Sequence, residues 1–227
     1  MRRIHRTALY GGTFDPVHMG HLEVARRVSQ LFEIEKLIFV PAQIAPHKVG
    51  RPVTEPIHRY AMLALATQDD PELMISTFEL DAPDRRYTVE TIEHFQRELN
   101  GSSELFFIMG ADSWSEITTW REWERLLTMT NHIVVTRPGF EVATVHVGPL
   151  SERIVDLRTS SQDGACMSLG GIFITDIVMN DASATNIRRL ASEGRTEELV
   201  GLVPGPVLDY IKKYQIYREV NETELNS

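Results

Sequence analysis

The chain has 227 residues, 42% of them hydrophobic, enough to bury the core of one ordinary α/β domain. Its formal net charge is −9 and no long Lys/Arg cluster occurs, which argues against a nucleic-acid polymer as partner and requires any phosphate site to be basic locally. The single cysteine, Cys166, excludes an internal disulfide; the apolar run after Met1–Arg6 is too short for a signal-peptide core, and nowhere do about eighteen apolar residues run together, so a soluble cytoplasmic protein with no membrane partner is expected.

The predicted elements begin with a short apolar run, Ala8 to Tyr10, that stops at Gly11-Gly12-Thr13-Phe14-Asp15-Pro16-Val17-His18-Met19-Gly20-His21. Leu22 to Phe32 then carries apolar residues at helical spacing, so the stretch reads as strand, glycine turn, helix. His18 and His21 are three apart and share one face of the first helical turn, where unpaired backbone N–H groups favour an anion. A zinc site competes, but it wants four nitrogen or sulfur ligands and no cysteine or third histidine stands nearby at ligand spacing; two satisfied histidines in a tight turn are the other plain reading.

Lys36 to Val40 is a second strand, ended by Pro41. The loop from 42 to 54 follows, with His47, Lys48 and Arg51; it is either a solvated basic loop or part of a site at the strand's C-terminal edge. Glu55 to Gln68 is helical, with Ile57, Tyr60, Ala61, Leu63, Ala64 and Leu65 on its buried face. Leu73 to Leu80 is predicted as a strand, Asp81 to Tyr87 as a turn, and Thr88 to Leu99 as a helix capped by Thr88. Leu105 to Met109 is the most strand-like run and ends at Gly110-Ala111-Asp112, where Asp112 either holds ribose hydroxyls or caps a helix. Trp114, Trp120 and Trp123 come next, a spacing that by itself means packing.

Asn131 to Thr136 is another strand, followed by Arg137-Pro138-Gly139, in which Arg137 is a phosphate clamp or a surface arginine. From 140 to 169 the pattern dissolves into what reads as a variable insertion. Gly171 to Val178 is a strand; Ser183-Ala184-Thr185-Asn186-Ile187-Arg188 opens a helix reaching about Ser192, with hydroxyls at its start and an arginine one turn in. A short helix at Thr196–Val200 and a packing helix through Tyr217 complete the series. Alternating strands and helices predict an α/β fold: a Rossmann-like open, mostly parallel sheet with helices on both faces, one domain over 1–220 and a polar tail over 221–227.

The eleven-residue string at 11–21 resembles the signature of the nucleotidyltransferase superfamily with the His-x-Gly-His motif, in the form most similar to bacterial nicotinate-nucleotide adenylyltransferases. The resemblance extends over four blocks in the right order, from Gly11 to Tyr217. It implies that Gly12, Thr13, Phe14, His18 and His21 meet ATP, that Pro46-His47-Lys48 brings His47 and Lys48 to the substrate phosphates, and that Tyr87-Thr88 offers backbone N–H groups to a pyridine carboxylate. It also implies that Gly110 and Asp112 hold nucleotide ribose, that Trp120 after Thr119 stacks on the pyridine ring, and that Arg137 lies on the substrate. Ser183, Thr185 and Arg188 match the superfamily's second, phosphate-holding motif, with Ala184 in place of one hydroxyl; Arg86 stands where a serine often precedes the Tyr-Thr pair.

The implied reaction moves AMP from ATP to nicotinate mononucleotide, giving nicotinate adenine dinucleotide and pyrophosphate in NAD biosynthesis. The acceptor phosphate attacks in line, with no covalent enzyme intermediate, and His18, His21, Lys48 and Arg188 carry the catalysis. Mg2+ arrives with ATP, and no dedicated metal-ligand set is expected. Another acceptor, nicotinamide mononucleotide or phosphopantetheine, and a silent nucleotide-binding regulator are the alternatives. A homo-oligomer is left open.

Overall fold

Apolar runs without polar alternation form the middles of the inner strands, because both faces of the sheet are covered there. The computed structural model describes residues 5–43, 53–82, 86–137, 139–159, 170–177 and 182–218. Its strands are β1 (His5–Gly12), β2 (Lys36–Pro41), β3 (Leu73–Ile75), β4 (Ser103–Gly110), β5 (Asn131–Val135), β6 (Ile154–Asp156) and β7 (Ile172–Thr175). They make one seven-stranded sheet in the order β3-β2-β1-β4-β5-β7-β6, with every pair parallel.

Ala8, Tyr10, Phe106 and Ile108 face one layer of helices, α1 (Met19–Phe32), α2 (Pro56–Thr67), α6 (Ala184–Ser192) and α7 (Gly205–Tyr214). Leu9, Phe107 and Met109 face the other, α3 (Thr88–Leu99), α4 (Ala111–Ser115) and α5 (Trp123–Met129). Strand order reverses between β1 and β4, so their C-terminal ends open a crevice, the place where doubly wound sheets bind ligands. Both α1 and α4 start at that edge.

Burial and capping together hold α1 in place. At its N-cap the His18 amide donates to His21 Nδ1 at 3.2 Å, the reciprocal bond of a capping box. Leu22, Val24, Val28 and Phe32 are buried on the same helix, each contributing roughly 1.5–3 kcal/mol. The first turn can therefore carry residues chosen for chemistry.

Four expectations change. The predicted strand 73–80 ends at Ile75: Ser76 N–H makes a bond to Phe39 O (2.9 Å), and then Ser76 Oγ accepts from the amide of Phe78 (3.1 Å) and bends the chain. Tyr87, not Thr88, is the N-cap of α3, its amide donating to Glu90 Oε2 at 3.0 Å. The buried side of α2 is Arg59, Met62, Leu63 and Thr67, while Ile57 is 65% exposed, because the Arg59 guanidinium turns inward to bond backbone carbonyls. Part of the supposed insertion at 140–169 supplies the edge strand β6, too short at three residues to show a period. Residues 160–169, with Cys166, and the tail 221–227 lie outside the described residues.

Candidate active site

The turn after β1 is shaped by packing. A Cβ at Gly12 would lie 2.8 Å from the Phe14 ring, so glycine leaves the space that this ring fills. Phe14, at φ 51°, packs edge-on to Tyr10 and Phe39, with centroids 5.5 and 5.3 Å away. This bend delivers His18 to the start of α1 and His21 one turn in.

The two imidazoles stack, with centroids 3.7 Å apart and planes 29° apart. His21 Nδ1 accepts the His18 amide hydrogen at 3.2 Å, so a neutral His21 ring carries its proton on Nε2. A Cβ at Gly20 would sit 3.1 Å from His18 Nδ1; the glycine makes room for that ring. Burial, and then the positive charge of Arg137, push the His18 pKa down to about 4. His18 is therefore neutral at physiological pH.

Arg188 reaches the same place from α6. Its Nη1 donates to the main-chain carbonyl of Asp15 (2.6 Å) and its Nη2 to Thr185 Oγ1 (3.3 Å). The Asp15 carboxylate is buried and accepts from the Thr54 amide (3.3 Å) and the Tyr217 hydroxyl (2.8 Å). Beneath the turn, fully buried Arg59 donates to the carbonyls of Thr13 (2.8 Å), Thr54 (2.9 Å) and Gln43 (3.2 Å). Ser183 is the N-cap of α6, yet its side chain makes no capping bond.

A cavity of about 620 Å³ opens over these strand ends. His18 and His21 line it from the first block, Gly110 and Asp112 from the end of β4, Arg137 from the end of β5, and Ser183, Thr185 and Arg188 from the start of α6. Asp112 is exposed in the first turn of α4, whose N-cap is Gly110, so its carboxylate is not spent on capping. A Cβ at Gly110 would meet nothing within 4 Å; open space lies above it.

Other sequence-predicted residues lie elsewhere. Gly12, Thr13 and Phe14 build the turn but do not line this cavity. Tyr87, Thr88 and Trp120 lie on the opposite face of the sheet, outside it: Trp120 is edge-on to Phe107 with centroids 6.5 Å apart, and Arg121 stands 4.8 Å from the Tyr87 ring centroid. Trp114 is buried, with Nε1 donating to Ala143 O at 2.8 Å, and Trp123 is partly buried on the same core, as their packing role predicts. His47 and Lys48 lie outside the described residues. Among the described residues no group of three or more His, Cys, Asp or Glu is placed to hold a metal ion.

Sequence reasoning missed Arg59 and Glu79. An arginine one turn before Leu63 on an otherwise apolar helix face was the available signal for the first. Glu90 occupies the Tyr87 amide, and Glu79 accepts from Thr91 Oγ1 at 2.7 Å, with its pKa raised to about 7 by burial despite that bond and nearby Arg86.

Residues 9–190 match the model of the cytidylyltransferase-like family. The chain is 38% identical over 224 residues to a protein of Thermoanaerobacter sp. (strain X514) named nicotinate-nucleotide adenylyltransferase, covering 98% of this chain and 99% of the relative. A protein of the same name from Thermus thermophilus is 37% identical over 213 residues, 94% of this chain and 100% of the relative. In fold the chain is similar to Plasmodium falciparum nicotinic acid mononucleotide adenylyltransferase complexed with NaAD, with a TM-score of 0.70 at 19% identity over 94% of this chain and 97% of that one.

Proposed function

The chain belongs to the nicotinate-nucleotide adenylyltransferases of the cytidylyltransferase-like family, and from that premise we propose that it transfers AMP from ATP to nicotinate mononucleotide with the residues that converge on the cavity. The observation that carries the division of labour is this convergence: two stacked imidazoles, two arginines and the hydroxyls of Ser183 and Thr185 meet at the strand ends of a protein whose net charge is −9. Local basicity against a negative whole is what a polyanionic substrate requires.

An oxygen of the acceptor's 5′-phosphate forms a bond to the α-phosphorus of ATP as the bond to the bridging oxygen breaks and pyrophosphate leaves. The attacking phosphate is already ionised near neutrality, so no base is needed; the protein positions two anions and stabilises charge on the α-phosphate oxygens. His21 donates from Nε2, which its Nδ1 bond to the His18 amide favours. Neutral His18 stacks on it and supplies a second polar ring.

Arg188, with Ser183 and Thr185, takes the leaving pyrophosphate. A charge-assisted hydrogen bond contributes roughly 1.5–3 kcal/mol against about 0.3–1 for the helix end, so the arginine dominates. Asp112 holds ribose hydroxyls and Arg137 a phosphate. Lys48 is assigned to the triphosphate and His47 to the acceptor on the resemblance of their block. Mg2+ travels as part of the Mg–ATP substrate and offsets triphosphate charge; the protein adds no ligand cluster of its own in this reading.

The nicotinate ring is assigned to the face of Trp120 and its carboxylate to the first-turn amides of α3. With the Tyr87 amide committed to Glu90, Thr88 and the residue after it are left to do this. A site built from backbone donors rejects the amide analogue because those donors then go unpaired. The test is pyrophosphate release from ATP with nicotinate mononucleotide, nicotinamide mononucleotide and phosphopantetheine in parallel. The nicotinate compound is expected to give the highest kcat/KM; an equal or reversed order overturns the acceptor assignment, and ATP binding without turnover on any of the three overturns catalysis.

A further inference from the structure

The groups assigned above account for phosphates, ribose and pyridine, and leave the purine base of ATP without a partner. Two aromatic rings besides the imidazoles line the cavity. Tyr10 is 9% exposed and packed against Phe14 and Phe39, so its faces are spent inside the protein. Phe140 is 49% exposed, on the wall just beyond Arg137. An apolar ring that borders a polar cavity and stays half exposed is suited to a flat ligand group.

That wall is fastened. The Phe140 amide donates to Arg137 O at 3.1 Å, closing a turn that contains Gly139 at φ 78°. From the far side Arg158 donates Nη1 to the Phe140 carbonyl at 2.8 Å. Arg158 is itself gripped by Asp156, through Nε at 2.9 Å and Nη2 at 2.7 Å, and its own amide donates to the same carboxylate at 3.0 Å. Asp156 ends the edge strand β6, and the next amide, Leu157, donates to Ile174 O at 2.9 Å. A bidentate arginine on a carboxylate keeps its fork in one orientation, so the loop after β5 is tied to the sheet through Phe140's own backbone.

We propose that the base of the nucleoside triphosphate stacks on Phe140, and that Arg158, fixed by Asp156, is the positioning residue that holds this platform at the cavity wall. The inference rests on the adenylyltransferase reading for the identity of the triphosphate. Base–aromatic stacking has the size to matter: a tenfold change in KM corresponds to about 1.4 kcal/mol, within the range measured for stacked bases.

The test compares wild type with F140A, F140W, R158M and the double variant F140A/R158M, each first checked for an unchanged thermal melt. F140A is expected to raise KM for ATP roughly tenfold and to flatten the preference for ATP over CTP, with kcat and the KM for nicotinate mononucleotide within about twofold; F140W restores both. R158M is expected to raise KM for ATP severalfold in the wild-type background and to add nothing in the F140A background, because its effect passes through the ring. An unchanged KM for ATP and unchanged ATP/CTP ratio in F140A overturn the stacking role. A full additive effect of R158M on top of F140A overturns the positioning role. Calorimetric titration of Mg–ATP into wild type and F140A reads the same contact without any acceptor: wild type that binds ATP but turns over no acceptor fails the adenylyltransferase reading alone, whereas equal ATP affinity of the two proteins fails the stacking proposal alone.

Discussion

Arg188 donates to the main-chain carbonyl of Asp15 at 2.6 Å, joining residues 173 positions apart in sequence. Asp15 belongs to the turn that delivers His18 and His21; Arg188 belongs to the opening of α6. This bond sets the distance between the two halves of the proposed phosphate site.

R188K is therefore expected to lower kcat/KM by about a hundredfold with a melting temperature close to wild type, since lysine keeps the charge but loses the fork that spans the Asp15 carbonyl and Thr185. Pyrophosphate release together with a thermal melt checks it. Activity within threefold of wild type would mean that the geometry of this arginine is irrelevant.

H21A should lower kcat by roughly a hundredfold or more in a folded protein, because it removes the donor proposed to meet the reacting phosphate. G20A is the more delicate probe. Its Cβ would lie 3.1 Å from His18 Nδ1, so the stacked pair must shift by a few tenths of an ångström. A fall in kcat without a fall in melting temperature is expected, and wild-type turnover in G20A would show that the stack tolerates displacement.

R59M is expected to cost about 3 kcal/mol, or about 10 °C in Tm for a chain of this size, because three backbone carbonyls lose their donor while the packing volume is kept. Urea denaturation and a thermal melt read the loss. The carbonyls belong to Thr13, Thr54 and Gln43, so KM for ATP should rise in the same variant at temperatures where it remains folded.

Stability against pH has two opposing contributions. His18 and His132 are both lowered to about 4 by burial, so between pH 6.5 and 4 the unfolded chain binds protons that the folded one refuses, and stability falls as pH falls through that window. From pH 7 to 5 each loses about 2 kcal/mol. Glu79 runs the other way: raised to about 7, it holds a proton in the folded state, and acidification over the same interval gains about 2 kcal/mol. The net is a loss of about 2 kcal/mol. Denaturant midpoints at pH 7 and 5 should show that H132F loses less than wild type on acidification and E79Q loses more. The opposite order in either variant would mean that burial does not control these groups.

What the sequence alone determined is what is local or repetitive. The glycine turn, the spacing of His18 and His21, and the Ser183–Arg188 block announce themselves because backbone sterics and helical period act within a few residues. The strands β1, β2, β4 and β5 were legible because burial of their middles on both faces leaves a short apolar run in each, such as Ala8–Tyr10 and Leu105–Met109. The three-residue strands were not: β3 was overextended and β6 was lost in an apparent insertion, since a short edge strand takes its pairing from a neighbour rather than from its own pattern. The tertiary structure alone decided that Arg59 turns into the protein, that Tyr87 rather than Thr88 caps α3, and that Asp15 is the hub for Arg188, Thr54 and Tyr217. Apart from the Tyr87 cap, whose bond to Glu90 is local, each of these is a hydrogen bond between distant segments. Its energy depends on whether a buried donor finds its acceptor, which no window of sequence contains.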